Sequence, residues 1–295
     1  MEHFEALKRS IESTRDLGSV VRTMKTLAAV SIRQYEQAVD SLEDFSETVE
    51  QGLKMVLWDI QPAAYPPEMQ TDGRTGIIIF GSDQGMCGQF NEQIGSYALE
   101  HFSNNISNHD QLAWLVIGSR IMGKLQDTGV KVDYDYSLPG SATGIAPLVT
   151  GILASIDQWR NKRRLGRIFI CYNQRVSAST YKPHAVQLLP IDPARFFRNK
   201  QRNWSSSTLP LFTMNRNILL SRLIRQYLFV SLFRACAESL AGENASRIAS
   251  MQAAERNIKE RLANLQSEFN QQRQTSITEE LLDVVTGFEA LKDEK

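Results

Sequence analysis

Past Pro210 the chain has no proline, and glycine occurs there only at Gly242 and Gly287. Those two residue types are the strongest interrupters of a helix, so nothing in this stretch argues for a break. Cysteine is scarce as well: Cys87, Cys171 and Cys236 lie far apart, with no CxxC pair and no zinc spacing. That excludes a disulfide framework and points to a reducing compartment. The four histidines, His3, His101, His109 and His184, share no metal-ligand spacing, and no metal site is expected. Neither sign of charge is in excess, with Lys+Arg 33 against Asp+Glu 33, so bulk charge gives no reason to expect nucleic acid. Long apolar runs are missing too. The most apolar helical stretch, Ile218 to Ala241, carries Arg222, Arg225, Arg234 and Glu238, too many charges for a membrane span. The opening MEHFEALKRSIEST lacks an apolar signal core, so a soluble chain without a secretory leader is expected.

What is present is helix-forming sequence at both ends. From Arg247 to Gln274 the chain is rich in Ala, Leu, Glu, Gln and Arg. Ile248, Met251, Ile258, Leu262, Leu265 and Phe269 recur at spacings of three and four, with Glu255 filling the gap. This is a heptad seam, which needs a partner helix along its length. A continuous helix over 209–291 would span ~120 Å, more than a compact domain can bury. Met1 to Ile60 reads as a second long helical run. Met24, Ser31, Ala38 and Phe45 form one seven-spaced series; Ala28, Tyr35, Leu42, Val49 and Val56 form the other. A turn-rich linker with three prolines, Gln61 to Gly76, ends it.

Between the ends the period changes. Short apolar strands are expected at Gly76–Phe80, Ala113–Gly118, Arg167–Tyr172 and Ala185–Leu189, with Val130–Tyr136 as an edge strand. Helices are expected at Asn91–Phe102, through Ile121 and Met122 to Gly129, and at Ile145–Trp159. Strands alternating with helices indicate an α/β domain with a largely parallel sheet. Two seams at opposite ends of one chain are each other's nearest partners. The economical architecture is an antiparallel coiled coil, with residues 1–60 and 209–291 as its helices, carrying an α/β domain over 75–200.

Gly81-Ser-Asp-Gln-Gly-Met-Cys-Gly88 sits where an α/β fold often holds a phosphate. It matches neither GxGxxG nor GxxxxGK[ST], so a tight structural turn is the better reading, and no cofactor is expected. Cys87 has a helix N-terminus nearby but no histidine or second cysteine close in sequence, which argues against catalysis. The basic clusters Arg160–Arg167 and Arg195–Arg202 fit a solvated or protein-docking face better than an RNA site, given zero net charge. At Arg273 and Gln274 polar residues interrupt the C-terminal seam, and an apolar segment resumes from Ile277.

Four segments together carry a resemblance: VVRTMKTLAAVSIRQYEQA, GSDQGMCGQFN, ASRIASMQAAERNI and ITEELLDVVTG. In order and over the whole chain, they resemble the gamma subunit of F-type ATP synthases. The resemblance implies an antiparallel coiled coil of the termini bearing a Rossmann-like α/β domain. It implies a central rotor stalk turning inside alternating alpha and beta subunits, beside an epsilon subunit and on a membrane c-ring. ATP chemistry would belong to the beta subunits, and this chain would not be an enzyme. The family's contact positions toward the alpha/beta ring fall on Met24, Arg247, Arg273, Gln274 and Thr278. Localisation would be peripheral, at the cytoplasmic face of a bacterial cell membrane.

The sequence departs from the family pattern at Ser31, Gln84, Gln89, Gln271 and Phe288-Glu289, which points to a divergent bacterial lineage. Gln271 stands where a basic residue often grips an acidic beta-subunit loop, so that contact is expected to be weaker. Neither a transit-type leader nor a paired cysteine insertion of the chloroplast redox-switched kind is expected. Two other readings stay open on the sequence: a coiled-coil adaptor that holds partners without rotating, and an α/β nucleotide-binding enzyme.

Overall fold

The computed structural model describes residues 2–57, 74–103, 112–163, 165–177, 180–192 and 211–293. Its elements in chain order are α1 (Glu2–Asp40), α2 (Glu43–Leu57), β1 (Arg74–Phe80), α3 (Phe90–Ser103), β2 (Leu112–Ile117) and α4 (Ser119–Asp127). Then come β3 (Val132–Tyr136), α5 (Ile145–Arg163), β4 (Leu165–Ser177), β5 (Thr180–Leu189) and α6 (Arg216–Asp293). Contacts group these into two compact units, Met1–Leu27 with Ile248–Lys295, and Ala28–Arg247.

The second unit is built on a five-stranded sheet in the order β3-β2-β1-β4-β5. The pairs β3–β2, β2–β1 and β1–β4 are parallel, and β4–β5 is an antiparallel hairpin. The central strands read as unbroken apolar runs because both of their faces are covered. Ile78, Phe80, Leu115, Ile117 and Ile170 face a core shared with α5, α2 and the first half of α6. Ile77, Ile79, Trp114, Val116 and Cys171 face Ile94, Ala98 and Phe102 of α3 and Ile121 and Leu125 of α4. Between Val230 and Arg247, α6 is buried almost all round, which its small residues Ala235, Ala237 and Ala241 permit.

The N-terminal run, expected as one helix, is interrupted at Ser41 and Leu42. Ser41 turns its hydroxyl back onto the Ala38 carbonyl at 2.9 Å, and the Leu42 amide reaches Val39 at 3.0 Å, one residue short of the α-helical partner. A serine that back-bonds in this way tightens and bends a helix. Glu43 and Asp44 then open α2, where negative charge suits a helix N-terminus. The basic cluster Arg195–Arg202 and most of the linker from Gln61 lie outside the described residues.

The first unit pairs the start of α1 with the later turns of α6. Phe4 stacks on Phe269 with ring centroids 4.4 Å apart. Leu7, Ile11 and Leu265 form a small core with Leu262 and Phe269. A side chain at Gly18 would meet Ile258 at 3.3 Å, and Lys25 bonds Glu255. Positions rise on one helix as they fall on the other, so the pairing is antiparallel. The C-terminal seam is the expected one, with Glu255 inside it.

Candidate functional site

The glycine-rich loop after β1 is filled by its own side chains. Asn91 accepts from the Ser82 amide at 3.0 Å and donates to the Ser82 hydroxyl at 2.7 Å. The Ser82 hydroxyl in turn donates to the Gln84 carbonyl at 2.9 Å. Asp83 accepts from the Ser119 amide at the start of α4 and from the Leu138 amide, both at 2.7 Å. A carboxylate of the loop thus holds an open amide at the start of α4, where negative charge suits a helix N-terminus. Sequence spacing did not single out Asp83, Ser82 or Asn91 for this role.

Two glycines here are demanded by space. A Cβ on Gly81 would stand 2.2 Å from Ile121, and Gly118, at φ 112, would press one within 2.8 Å of the Ser82 backbone. Behind the loop the Cys87 thiol is buried, and its carbonyl accepts from the Ser246 hydroxyl of α6 at 2.6 Å. The arrangement is a structural clamp between the loop, α4 and α6. Among the described residues no cluster of His, Cys, Asp and Glu could hold a metal ion. No described helix is long and apolar enough to cross a membrane.

The residues singled out by the resemblance do not converge on one pocket. Met24 is half-buried on α1, one position before Lys25, which bonds Glu255. Arg273, Gln274 and Thr278 are exposed, and the Thr278 hydroxyl donates to the Gln274 carbonyl at 2.9 Å. From Arg273 through Thr286 every residue of α6 is exposed, including Ile277, Leu281, Leu282, Val284 and Val285. This is a helix end with apolar side chains and no cover inside its own unit. Leu17, Val20 and Leu27 make a second exposed apolar row on α1.

Arg247 is placed differently, inside the second unit at 6 % exposure. Its Nη2 donates to Glu243 at 2.5 Å and its Nη1 to Asn244 at 3.0 Å. Burial pushes the Glu243 carboxyl above the usual carboxylate range against the pull of Arg247. Tyr35 of α1 lies close enough for its phenol to be raised by burial and by Glu243. The sequence reading missed Phe4, Leu7, Ile11 and Val21 on the seam of α1. The signal was there: counting back by sevens from Ala28 gives Val21, Thr14 and Leu7.

Comparison with known proteins agrees with this architecture. The ATP synthase family matches residues 3–291. An ATP synthase gamma chain of Histophilus somni (strain 2336) is 25% identical over 289 residues, covering 97% of this chain and 98% of its own. One of Sorangium cellulosum (strain So ce56) is 24% identical over 335 residues, covering 99% and 100%. In a structure of the Euglena gracilis mitochondrial ATP synthase, OSCP/F1/c-ring, rotational state 3, one chain superposes with a TM-score of 0.64 at 14% identity, over 98% of this chain and 95% of that one. That likeness is one of fold. A coil of the two termini, an α/β domain between them and a family match along nearly the whole length lead to one assignment: the chain belongs to the ATP synthase gamma-chain family, the central-stalk subunit of F-type ATP synthases.

Proposed function

We propose that this chain is the rotor that couples ion flow through a membrane c-ring to ATP synthesis or hydrolysis in a ring of alpha and beta subunits. The observation that carries the reading is the bare end of α6. Apolar side chains at Ile277, Leu281, Leu282, Val284 and Val285 stand exposed behind a polar collar at Arg273, Gln274 and Thr278. Such a surface calls for a sleeve around it. An asymmetric shaft in a ring of equivalent sites gives each site a different neighbour, and so biases each toward a different conformation. The chain itself performs no chemistry in this reading.

Residues 1–60 and 209–291 serve as the shaft and 75–200 as the domain that meets the epsilon subunit and the c-ring. Met24, Arg273, Gln274 and Thr278 are the contacts toward the alpha/beta ring. Arg247 joins them as the buried member, whose contact competes with its bond to Glu243. The complex lies on the cytoplasmic face of a bacterial cell membrane, and this chain meets the membrane only through the complex.

The test is Arg273→Ala with Gln274→Ala in the assembled complex, with subunit stoichiometry checked. Loss of desolvated charged hydrogen bonds, about 1.5–3 kcal/mol each, is expected to slow ATP turnover by roughly tenfold or more. Unchanged hydrolysis and ion pumping in a fully assembled double mutant would remove both residues from the mechanism.

A further inference from the structure

One end of the second unit gathers cations that no carboxylate answers. Arg225 of α6 bonds Asp157 of α5 at 3.2 Å, and Trp159, two residues on, would meet a Cβ on Gly76 near the start of β1. The first turns of α6 therefore stand where the parallel strands begin. At the other end of the strands, Ser246 of α6 donates to the Cys87 carbonyl in the loop after β1. The last turn of α2 comes to the strand-start end as well, since a Cβ on Gly52 would press on Leu223. Lys54 of α2, Arg74 of β1, Lys162 of α5, Arg167 of β4 and Arg222 of α6 share this end, four of them exposed and Lys54 half-buried. Among the described residues, none of the five is in an ion pair. Asp157 is taken by Arg225, and Glu100 and Asp127 lie near the ends of α3 and α4, on the opposite face of the sheet. From Leu211 to Ala237 the chain has no Asp or Glu at all. Before Arg222 three large apolar side chains are bare, Leu211 at 93%, Met214 at 40% and Ile218 at 52% exposure. Ile218 and Arg222, four apart, share one face of α6.

We propose that this end of the second unit docks directly on a bilayer surface of anionic phospholipid. Its cations lie over the headgroup phosphates, and Leu211, Met214 and Ile218 enter the interface beside them. Unpaired cations on five separate elements make a broad field, which fits a sheet of phosphates better than a single small anion. Apolar side chains bordered by Arg and Lys are the surface that lies on a membrane without crossing it, and no described helix is long and apolar enough to cross one. Because the whole chain has net charge +0, the attraction comes from where the charges stand and not from their sum. The rotor reading has the chain meet the membrane only through its complex; this surface goes beyond it by adding a contact with the lipid itself. The bare segment from Ile277 belongs to the last turns of α6, and the lipid-docking surface to its first.

The experiment measures partition of the full chain onto vesicles of phosphatidylcholine alone and of an equimolar mixture with phosphatidylglycerol, by flotation at low and high salt. The wild type is expected on the mixed vesicles at low salt and not on phosphatidylcholine. Each cation near an anionic surface contributes roughly fivefold to binding. The triple change Arg74→Gln, Arg167→Gln and Arg222→Gln should therefore weaken partition on the order of 100-fold. All three side chains are exposed, so melting should stay at the wild-type value. Removing the same charge elsewhere, with Arg256→Gln, Lys259→Gln and Arg261→Gln on exposed positions of the first unit, should leave partition unchanged. Leu211→Ser with Ile218→Ser should weaken it several-fold. A wild-type chain that stays off the mixed vesicles would overturn the proposal, as would equal losses in the two triple variants. Partition indifferent to Leu211→Ser with Ile218→Ser would overturn the bilayer as occupant and leave a face for an acidic protein. Assembly with alpha and beta subunits tests the rotor reading separately and is expected to survive all of these changes.

Discussion

Lys25 and Glu255 meet at 2.5 Å across 230 residues of sequence. Glu255 occupies a seam position where an apolar residue would ordinarily stand, and Lys25 of the facing helix answers it. A charged pair within an apolar seam fixes register, since a slip of one turn would set each charge against an apolar neighbour.

The hydrogen bond from Lys25 holds the Glu255 carboxyl below its usual range, with the charges of Lys25 and Arg22 adding to the effect. A depressed carboxylate contributes stability above its unfolded value and loses it as pH falls through its folded one. Denaturation of the wild type and Glu255→Gln should therefore differ at neutral pH and converge on acidification below the carboxylate range. The exchange Lys25→Glu with Glu255→Lys should recover most of the difference. A gap that is constant with pH would show that the ion pair is not its source.

Leu265 is 2% exposed in the small core with Leu7 and Ile11. Leu265→Asp should cost about 3 kcal/mol or more, because an unpaired charge enters an apolar contact. Amide exchange should speed up over Leu7 to Gly18 and leave the sheet strands untouched. Equal protection in mutant and wild type would deny that the two helices pair there.

Asp83 ties two amides, those of Ser119 and Leu138, at 2.7 Å each. Asp83→Ala should lower stability by about 1.5–3 kcal/mol, the range for hydrogen bonds to a charged group. Calorimetry with ATP, ADP and NAD on the isolated wild-type chain should give no micromolar site, since the loop Gly81–Gly88 lacks the lysine and the glycine spacing of a phosphate-binding fingerprint. A micromolar heat signature would reopen the enzyme reading.

All three thiols are buried, with Cys171 pushed up to about 12 and Cys236 raised as well, both by burial alone. Thiolates are the reactive form, so the folded chain should resist alkylation at mildly alkaline pH and take up three equivalents when unfolded. Rapid labelling of the native chain at any of the three would contradict that burial.

Ala28, Tyr35, Val49 and Val56 are buried as their seven-residue spacing implies, but Phe45 of the companion series is 42% exposed. The Ala28 series keeps to one buried face even across the break at Ser41 and Leu42. The series from Met24 also shares its burial with its neighbours, since Lys25, Ile32 and Val39 are half-buried too. A seam row between two possible lines of residues is decided by the crossing of the partner helix, which is absent from the local pattern.

What the sequence by itself determined were the features with a period or a breaker. The seam from Ile248 to Phe269, the central strands and their parallel order follow from residue spacing and from which runs are apolar on both faces. Only the tertiary structure decided that Asp83 would bind the amides of Ser119 and Leu138, that Arg247 would be buried with Glu243, and that Lys25 would answer Glu255. Periodicity records which side of an element must leave water. Polar pairing depends on where two distant backbones come to lie, and a single charged residue carries the same local signal whether it ends in solvent or in a buried pair.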